Sequence, residues 1–256
     1  RGLGDVYKRQ AVSNALKDHH DIVIHDPQYT EYSMEDNFDA DGIIICVPTP
    51  TTKNGVCDVR IIANILDTVP SKMKVLIKST ITPSVANELD KLYNHLAITY
   101  SPEFLTAANA NDDFLNQTFV VLGTQHITPF WENVLTPALK KCTNYFHCTP
   151  SEAYMVKYAA NTFLATKVSF FNQLYDICNK NNTSYNVVRS ILSHDSRIGN
   201  THTQVPGPDG NQGFGGTCFP KDTEAFIHYA KSLGTSISIL ETAVEYNKKV
   251  RKTLDL

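Results

Sequence analysis

The sequence predicts a doubly wound α/β fold with a parallel sheet, followed by an all-helical region. Three observations predict it. Apolar strand-like runs alternate with amphipathic helical patterns through the first half of the chain. Runs as apolar as Ile43-Ile44-Ile45 call for burial on both faces, as in a parallel sheet. After Pro150 the strand pattern stops and only helical spacing continues.

The expected strands are Asp21–His25, Gly42–Val47, Lys74–Lys78, Ala97–Tyr100, Phe119–Leu122 and Asn144–Cys148. Between them, helical spacing runs near Val12–Lys17, Val59–Thr68, Ser84–Tyr93 and Thr128–Lys140. One long helix is expected from Ser151 to about Lys180, with Met155, Tyr158, Ala159, Thr162, Phe163, Thr166 and Phe170 at helical spacing. A helix near Asn186–Leu192 follows, then a Gly- and Pro-rich loop over about Asp195–Pro220, then helices over Asp222–Ser232 and Ile237–Arg251. The boundary between the α/β and helical regions falls at 148/149.

Composition narrows the function. The 256 residues are 42% hydrophobic and 19% charged, with a formal net charge of -3. A chain of this length can bury a real core, and without a basic excess it is a poor match to a nucleic-acid backbone. No apolar run approaches the roughly 20 residues of a membrane helix, and no secretory pattern opens the chain. The six cysteines include no Cys-x-x-Cys pair, so zinc spacing is absent and reduced thiols of a cytoplasmic protein are expected. His194 and His202 flank a loop with no nearby Cys or paired acid, so no metal is expected.

A Rossmann-like fold should open with a strand and Gly-x-Gly-x-x-Gly. This chain opens with Gly2 and Gly4, but Tyr7 stands where the third small residue belongs. The first strand and the glycine loop therefore read as missing, with residues 1–10 foreign to the fold; a degenerate phosphate loop is the alternative. Ala11–Leu16 resembles the helix that would follow that loop. Asp26, at the end of the expected Asp21–His25 strand, stands where ribose hydroxyls are held; an ordinary turn acid before Pro27 is the plain alternative.

The most informative segment is Gly213-Phe214-Gly215-Gly216-Thr217-Cys218-Phe219-Pro220-Lys221-Asp222. Its glycines permit close backbone approach. Cys218 lies in this polar loop, just before a helix and near Lys221, a setting that suits a nucleophile. The segment closely resembles the catalytic-cysteine signature of the UDP-glucose/GDP-mannose dehydrogenase family. Other matches follow in the family's order: Val47-Pro48-Thr49-Pro50-Thr51, Lys78-Ser79-Thr80, Ser101-Pro102-Glu103-Phe104-Leu105, Lys157-Tyr158-Ala159-Ala160-Asn161, Asp195-Ser196-Arg197-Ile198-Gly199 and Val205–Gly210. The resemblance runs from about Ala11 to Leu256.

The resemblance implies that residues 1–148 form an NAD-binding domain and 149–256 a helical dimerisation and substrate domain. It implies two successive hydride transfers that take the primary alcohol of UDP-glucose to the carboxylate, using NAD. Cys218 matches the nucleophile of the thiohemiacetal and thioester. Lys157 and Asn161, four apart on one helix face, match donors to the developing oxyanion. Asp222 matches the carboxylate that positions water or accepts a proton, Thr80 the hydroxyl partner of that water, and Glu103 the base of thioester hydrolysis. Asp26, Val47, Pro48, Thr49, Ser79, Thr80 and Lys221 match cofactor contacts. Glu103, Phe104, Leu105, Lys157, Asn161, Phe214 and Gly215 match substrate contacts. Arg197 matches a residue that reaches the neighbouring subunit's site and suits a diphosphate. A homodimer through the long central helix is implied, with neither nucleic acid nor membrane as a partner.

The chain departs from the family where a second Glu is usual and Ala107 stands, and it stops at Leu256, where typical members continue into a nucleotide-binding domain. It therefore reads as a fragment or a short form. The alternatives are a dehydrogenase for UDP-N-acetylmannosamine or GDP-mannose, and an inactive dimerisation module. For the plain alternatives, Lys157 and Asn161 would be solvent-facing helix residues, Glu103 a strand-end acid and Arg197 a solvated loop residue.

Overall fold

The computed structural model describes residues 3–27, 29–31, 33–50, 52 and 57–251. The chain divides into two compact units, Arg1–Lys157 and Tyr158–Leu256.

The first unit is built on a five-stranded sheet of order β1-β2-β3-β4-β5. The strands are β1 (Ile43–Ile45), β2 (Lys74–Ile77), β3 (Ala97–Tyr100), β4 (Phe119–Gly123) and β5 (Asn144–Cys148). β1, β2 and β3 are parallel in register, with Ile44 opposite Leu76 and Leu76 opposite Thr99. β4 and β5 are also parallel. The β3–β4 junction is antiparallel and rests on one pair, Tyr100 with Gly123, so the sheet is mainly parallel and not uniformly so. Val75, Leu76 and Ile77 are buried, as aliphatic strand residues covered on both faces should be.

Helices cover the sheet. They are α1 (Leu3–Leu16), α2 (Arg60–Thr68), α3 (Pro83–Leu92), α4 (Ala110–Leu115) and α5 (Phe130–Leu135). α2 buries Ile62 and Leu66, four apart on one face. α3 starts where the Thr82 hydroxyl accepts from the Val85 N–H and Pro83 supplies a preset φ. α5 is shorter than the expected Thr128–Lys140, because Pro137 has no N–H to continue the ladder. α1, β2, α4, β4 and α5 share one core of Ala11, Leu16, Leu76, Phe114, Leu122 and Trp131, among others.

Two expectations, the Asp21–His25 strand and the phosphate loop at Gly4, are corrected here. Asp21–His25 is not a strand: Ile22, Val23 and Ile24 are 37%, 60% and 42% exposed. Strand propensity reports fit to a half-buried pleated surface, and these side chains stay in water. Residues 3–10 form the first turns of α1, with Lys8 buried and Tyr7 packed on the core. Gly4 accordingly lies within a helix, not in a phosphate-binding turn; Gly2 falls outside the described residues. α4 and two short 3₁₀ segments, Met34–Asn37 and Ala107–Asn109, had no expectation in the sequence.

α6 (Pro150–Lys180) runs 31 residues. A capping box opens it: the Glu152 carboxylate accepts from the Thr149 N–H at 2.8 Å, and the Thr149 hydroxyl accepts from the Glu152 N–H at 3.3 Å. The second unit adds α7 (Tyr185–Ser193), α8 (Phe219–Ser232) and α9 (Ser238–Val250). Its core holds Phe171, Cys178, Tyr185 and Val205. Tyr158 stacks on Phe226 at 5.6 Å between ring centroids.

Candidate active-site residues

In the first unit, the carboxyl ends of β1 and β2 bring Val47, Thr49, Ser79 and Thr80 together. The Ser79 hydroxyl accepts from the Val47 N–H at 2.9 Å and donates to the Val47 carbonyl at 2.7 Å. The Thr49 hydroxyl donates to the Thr80 carbonyl at 2.5 Å. Pro48 lies between the tied residues, half-buried. The Tyr154 hydroxyl of α6 donates to the Ser79 carbonyl at 2.7 Å and fixes the second loop from the other side. Thr51 lies outside the described residues. Asp26 is half-buried, and its carboxylate is ion-paired with the Arg9 guanidinium.

β3 delivers Ser101, Pro102 and Glu103, all buried. The Glu103 carbonyl accepts from Lys157 Nζ at 2.6 Å. Its carboxylate Oε1 lies 2.7 Å from Lys8 Nζ. Lys78 Nζ donates to the Ser101 carbonyl at 2.9 Å. Burial alone would push the Glu103 carboxyl up; the Lys8, Lys78 and Lys157 ammonium groups together hold it below the usual carboxylate range. Lys78 is pushed down from its ordinary value, mainly by burial, with Lys8 and Lys157 adding to the effect and Glu103 and Cys46 opposing it. Lys157 Nζ also lies 5.5 Å from the Phe104 ring centroid. Leu105 packs against the core.

In the second unit, Cys218 is the residue on which α8 opens, and the Asp222 N–H donates to the Cys218 carbonyl at 2.8 Å. The helix begins at Phe219, three residues earlier than the sequence indicated. The Thr217 hydroxyl lies 3.8 Å from Cys218 Sγ. Asp222 is buried; its Oδ2 accepts from Asn161 Nδ2 at 2.6 Å, and its Oδ1 lies 3.1 Å from Lys221 Nζ. Lys221, expected as a cofactor contact, is thus placed on Asp222. Asn161 follows Lys157 by one turn of α6.

The glycine loop is held by two asparagines. The Gly213 N–H donates to Asn172 Oδ1 at 2.9 Å; the Phe214 N–H donates to Asn247 Oδ1 at 2.7 Å, and Asn247 Nδ2 returns a bond to the Phe214 carbonyl at 3.0 Å. Phe214 is buried. The Arg251 guanidinium lies against Gly215 and would have to move aside for a Cβ. Arg197 is exposed and forms a two-pronged pair with Asp195, Nη2 to Oδ2 at 2.6 Å and Nε to Oδ1 at 3.0 Å.

Sequence reasoning gave no role to Lys8, Lys78, Asn172 or Asn247. Two carried a signal. Lys78 ends the apolar run Val75-Leu76-Ile77, where a charge needs a partner. Asn247 continues the buried α9 stripe of Leu240 and Ala243. Among the described residues, no group of three or more His, Cys, Asp or Glu side chains could hold a metal, and no helix is long and apolar enough to cross a membrane.

Residues 18–136 match the UDP-glucose/GDP-mannose dehydrogenase family, NAD binding domain, and residues 151–249 match the same family's central domain. A UDP-glucose 6-dehydrogenase of Bacillus subtilis is 32% identical over 83% of this chain and 47% of its own length. A UDP-glucose 6-dehydrogenase of Haloferax volcanii is 30% identical over 89% of this chain and 56% of its own. The solved structure of a UDP-glucose dehydrogenase from Pyrobaculum islandicum superposes with a TM-score of 0.74 at 28% identity, covering 86% of this chain and 53% of that one. The chain spans about half the length of the curated relatives it matches.

The tied loops at the carboxyl ends of β1 and β2 fit one part of a dinucleotide, since ligands of such sheets bind outside those strand ends. The pyrophosphate end is built differently, with Gly4 inside α1, and the acid expected at the ribose, Asp26, is engaged by Arg9. Both family domains are present in their proper order, and the chain belongs to the UDP-glucose/GDP-mannose dehydrogenase family.

Proposed function

We propose that this chain is the NAD-binding and central part of an NAD-dependent dehydrogenase that oxidises the primary alcohol of a nucleotide sugar, UDP-glucose, to the carboxylate. Residues 1–148 serve the cofactor, and 149–256 serve substrate and dimerisation. The observation that carries the reading is Cys218 at the opening of α8, one turn before Asp222, whose carboxylate Asn161 holds at 2.6 Å.

NAD, when bound, accepts the hydride at each of the two oxidation steps. Val47, Pro48, Thr49, Ser79, Thr80 and Asp26 would hold it, with Asp26 exchanging Arg9 for ribose hydroxyls. Cys218 Sγ adds to the aldehyde carbon, and a proton goes to the former carbonyl oxygen. Oxidation of that adduct leaves a thioester on Cys218. Water then adds to the thioester carbon, and the carboxylate leaves as the thiol is regenerated. Glu103, held ionised by its lysines, takes the water proton. Lys157 and Asn161 are donors to the oxyanion, Asp222 orients water or takes a proton, and the Thr80 hydroxyl partners that water. Phe104, Leu105, Phe214 and Gly215 contact the sugar nucleotide, and Arg197 its diphosphate from a neighbouring copy.

The α6 surface supports a homodimer. Phe163, Phe170 and Ile177 recur every seven residues and are 67%, 59% and 62% exposed. Seven-residue spacing returns a side chain to one face, and large apolar side chains left in water mark interaction surfaces.

The test is NADH formation with UDP-glucose, UDP-N-acetylmannosamine and GDP-mannose, using the chain as given and a form with a Gly-x-Gly-x-x-Gly strand–turn added. The expected result is two NADH per carboxylate with UDP-glucose, and no carboxylate from Cys218→Ala, whose oxidation stops at the aldehyde. Turnover by Cys218→Ala at the parent rate would overturn the thioester route. Silence of both chains with every sugar nucleotide would overturn the activity.

A further inference from the structure

Lys78 is a buried ammonium that the proposed chemistry does not use. It follows the last residue of β2, and Ser101 follows the last residue of β3. The Ser101 N–H donates to the Ile77 carbonyl at 2.9 Å, extending the β2–β3 ladder by one rung. The Ser101 carbonyl, on the other side of that residue, accepts from Lys78 Nζ at 2.9 Å; the Ser101 hydroxyl lies 3.4 Å from the same nitrogen. Ser101 is therefore held at both its N–H and its C=O. Pro102 comes next with a ring-locked φ, and then Glu103. Lys78, Ser101 and Glu103 are 4%, 1% and 3% exposed.

A buried ammonium bound only by a carbonyl and a hydroxyl is costly. A compensating anion removes that cost, and Glu103 is the carboxylate whose field acts on Lys78. The charged and titratable groups around the two come from four elements: Lys8 from α1, Cys46 from the loop after β1, Lys157 from α6 and Lys78 itself at the end of β2. Lys8 meets the Glu103 carboxylate and Lys157 its carbonyl, so each ammonium has a separate place. The Phe114 ring lies 5.8 Å from Lys78 Nζ on the apolar side.

We infer that Lys78 is a positioning residue for Glu103: its ammonium fixes the Ser101 carbonyl, and with it the turn that presents the Glu103 carboxylate. The inference rests on the reading of Glu103 as the hydrolytic base for its catalytic meaning. The Lys78–Glu103 dependence itself does not rest on turnover.

The experiment is a carboxyl-carbon NMR titration of the full chain labelled at Glu, with Glu103 assigned by its loss in Glu103→Gln. Lys78→Gln and Lys78→Met remove the charge, Met keeping the apolar stem so that a folded comparison survives if Gln is not tolerated. The expected result is a Glu103 midpoint higher by about one pH unit, tenfold in proton affinity, with Lys78→Arg returning it to near the parent. A midpoint unmoved in the charge-removing variant would overturn the inference, as would a Lys78→Arg shift as large as that of Lys78→Met. Parent turnover by Glu103→Gln with the midpoint shift intact would instead overturn the role of Glu103 and leave its dependence on Lys78 standing.

Discussion

The Asn161 side chain donates from Nδ2 to Asp222 Oδ2 at 2.6 Å, and both residues are buried. A charge-assisted bond of this length orients a carboxylate that also meets Lys221 at 3.1 Å. Asn161→Ala removes one of these partners from a buried charge. The expected loss is about 2–3 kcal/mol of unfolding free energy, read from urea denaturation. Asn161→Asp sets two carboxylates against each other and should lose more than Asn161→Ala. Equal stability of all three proteins would show that the bond is not formed in solution.

The glycine loop should be intolerant at Gly213. Its φ is +74°, and an added Cβ would strike Asn247 Oδ1, the acceptor of the Phe214 N–H. Gly213→Ala should cost about 1–3 kcal/mol from backbone strain alone. Asn247→Ala, which strips partners from both the N–H and the C=O of buried Phe214, should cost about as much. Thermal melting of the two variants checks both.

Cys148 should be a slow thiol. Burial, with the Glu152 charge adding to it, pushes its pKa up to about 11. At pH 8 its thiolate fraction is then about a hundredfold below that of an ordinary cysteine titrating near 9.0. Iodoacetamide labelling followed by peptide mass spectrometry should rank Cys148 behind a free thiol by about that factor, provided the protein stays folded.

Glu103 sets an acid limit on stability. Its folded pKa is held below the ordinary value, with burial opposing and Lys8, Lys78 and Lys157 prevailing. A depressed carboxyl contributes stability above its unfolded pKa of about 4.3 and loses it as pH falls through the folded value. Glu103→Gln should therefore be less stable than the parent at pH 7, and the gap should narrow as pH falls below about 4. A gap independent of pH would contradict the ion pairing.

The exposed α6 stripe should hold two copies together. Phe163→Lys with Phe170→Lys puts two charges on it, and light scattering should report a monomer where the parent is a dimer. A parent chain that is monomeric at high micromolar concentration would contradict the dimer.

The strands from Ile43 onward and the long helix were legible because their signals are local: aliphatic runs of strand length and apolar residues at helical spacing. Cys218, Glu103, Lys157, Asn161 and Asp222 stood out as a candidate set because their motifs stand in one order along the chain. The Asp21–His25 run was misread because its propensity is local, whereas a strand also requires burial and a neighbouring ladder. Local spacing likewise held nothing about Lys8 facing Glu103, 95 positions away in a different element, since ion pairs between distant positions exist only once the chain has packed. The sequence by itself determined the layer order, the helical second half and the side chains proposed for the site. Tertiary structure decided which charge meets which: Lys8 on the Glu103 carboxylate, Lys157 on its carbonyl, Lys78 on Ser101, and Asn161 with Lys221 on Asp222. Buried charges must find partners in three dimensions, and the spacing of residues along a chain does not specify them.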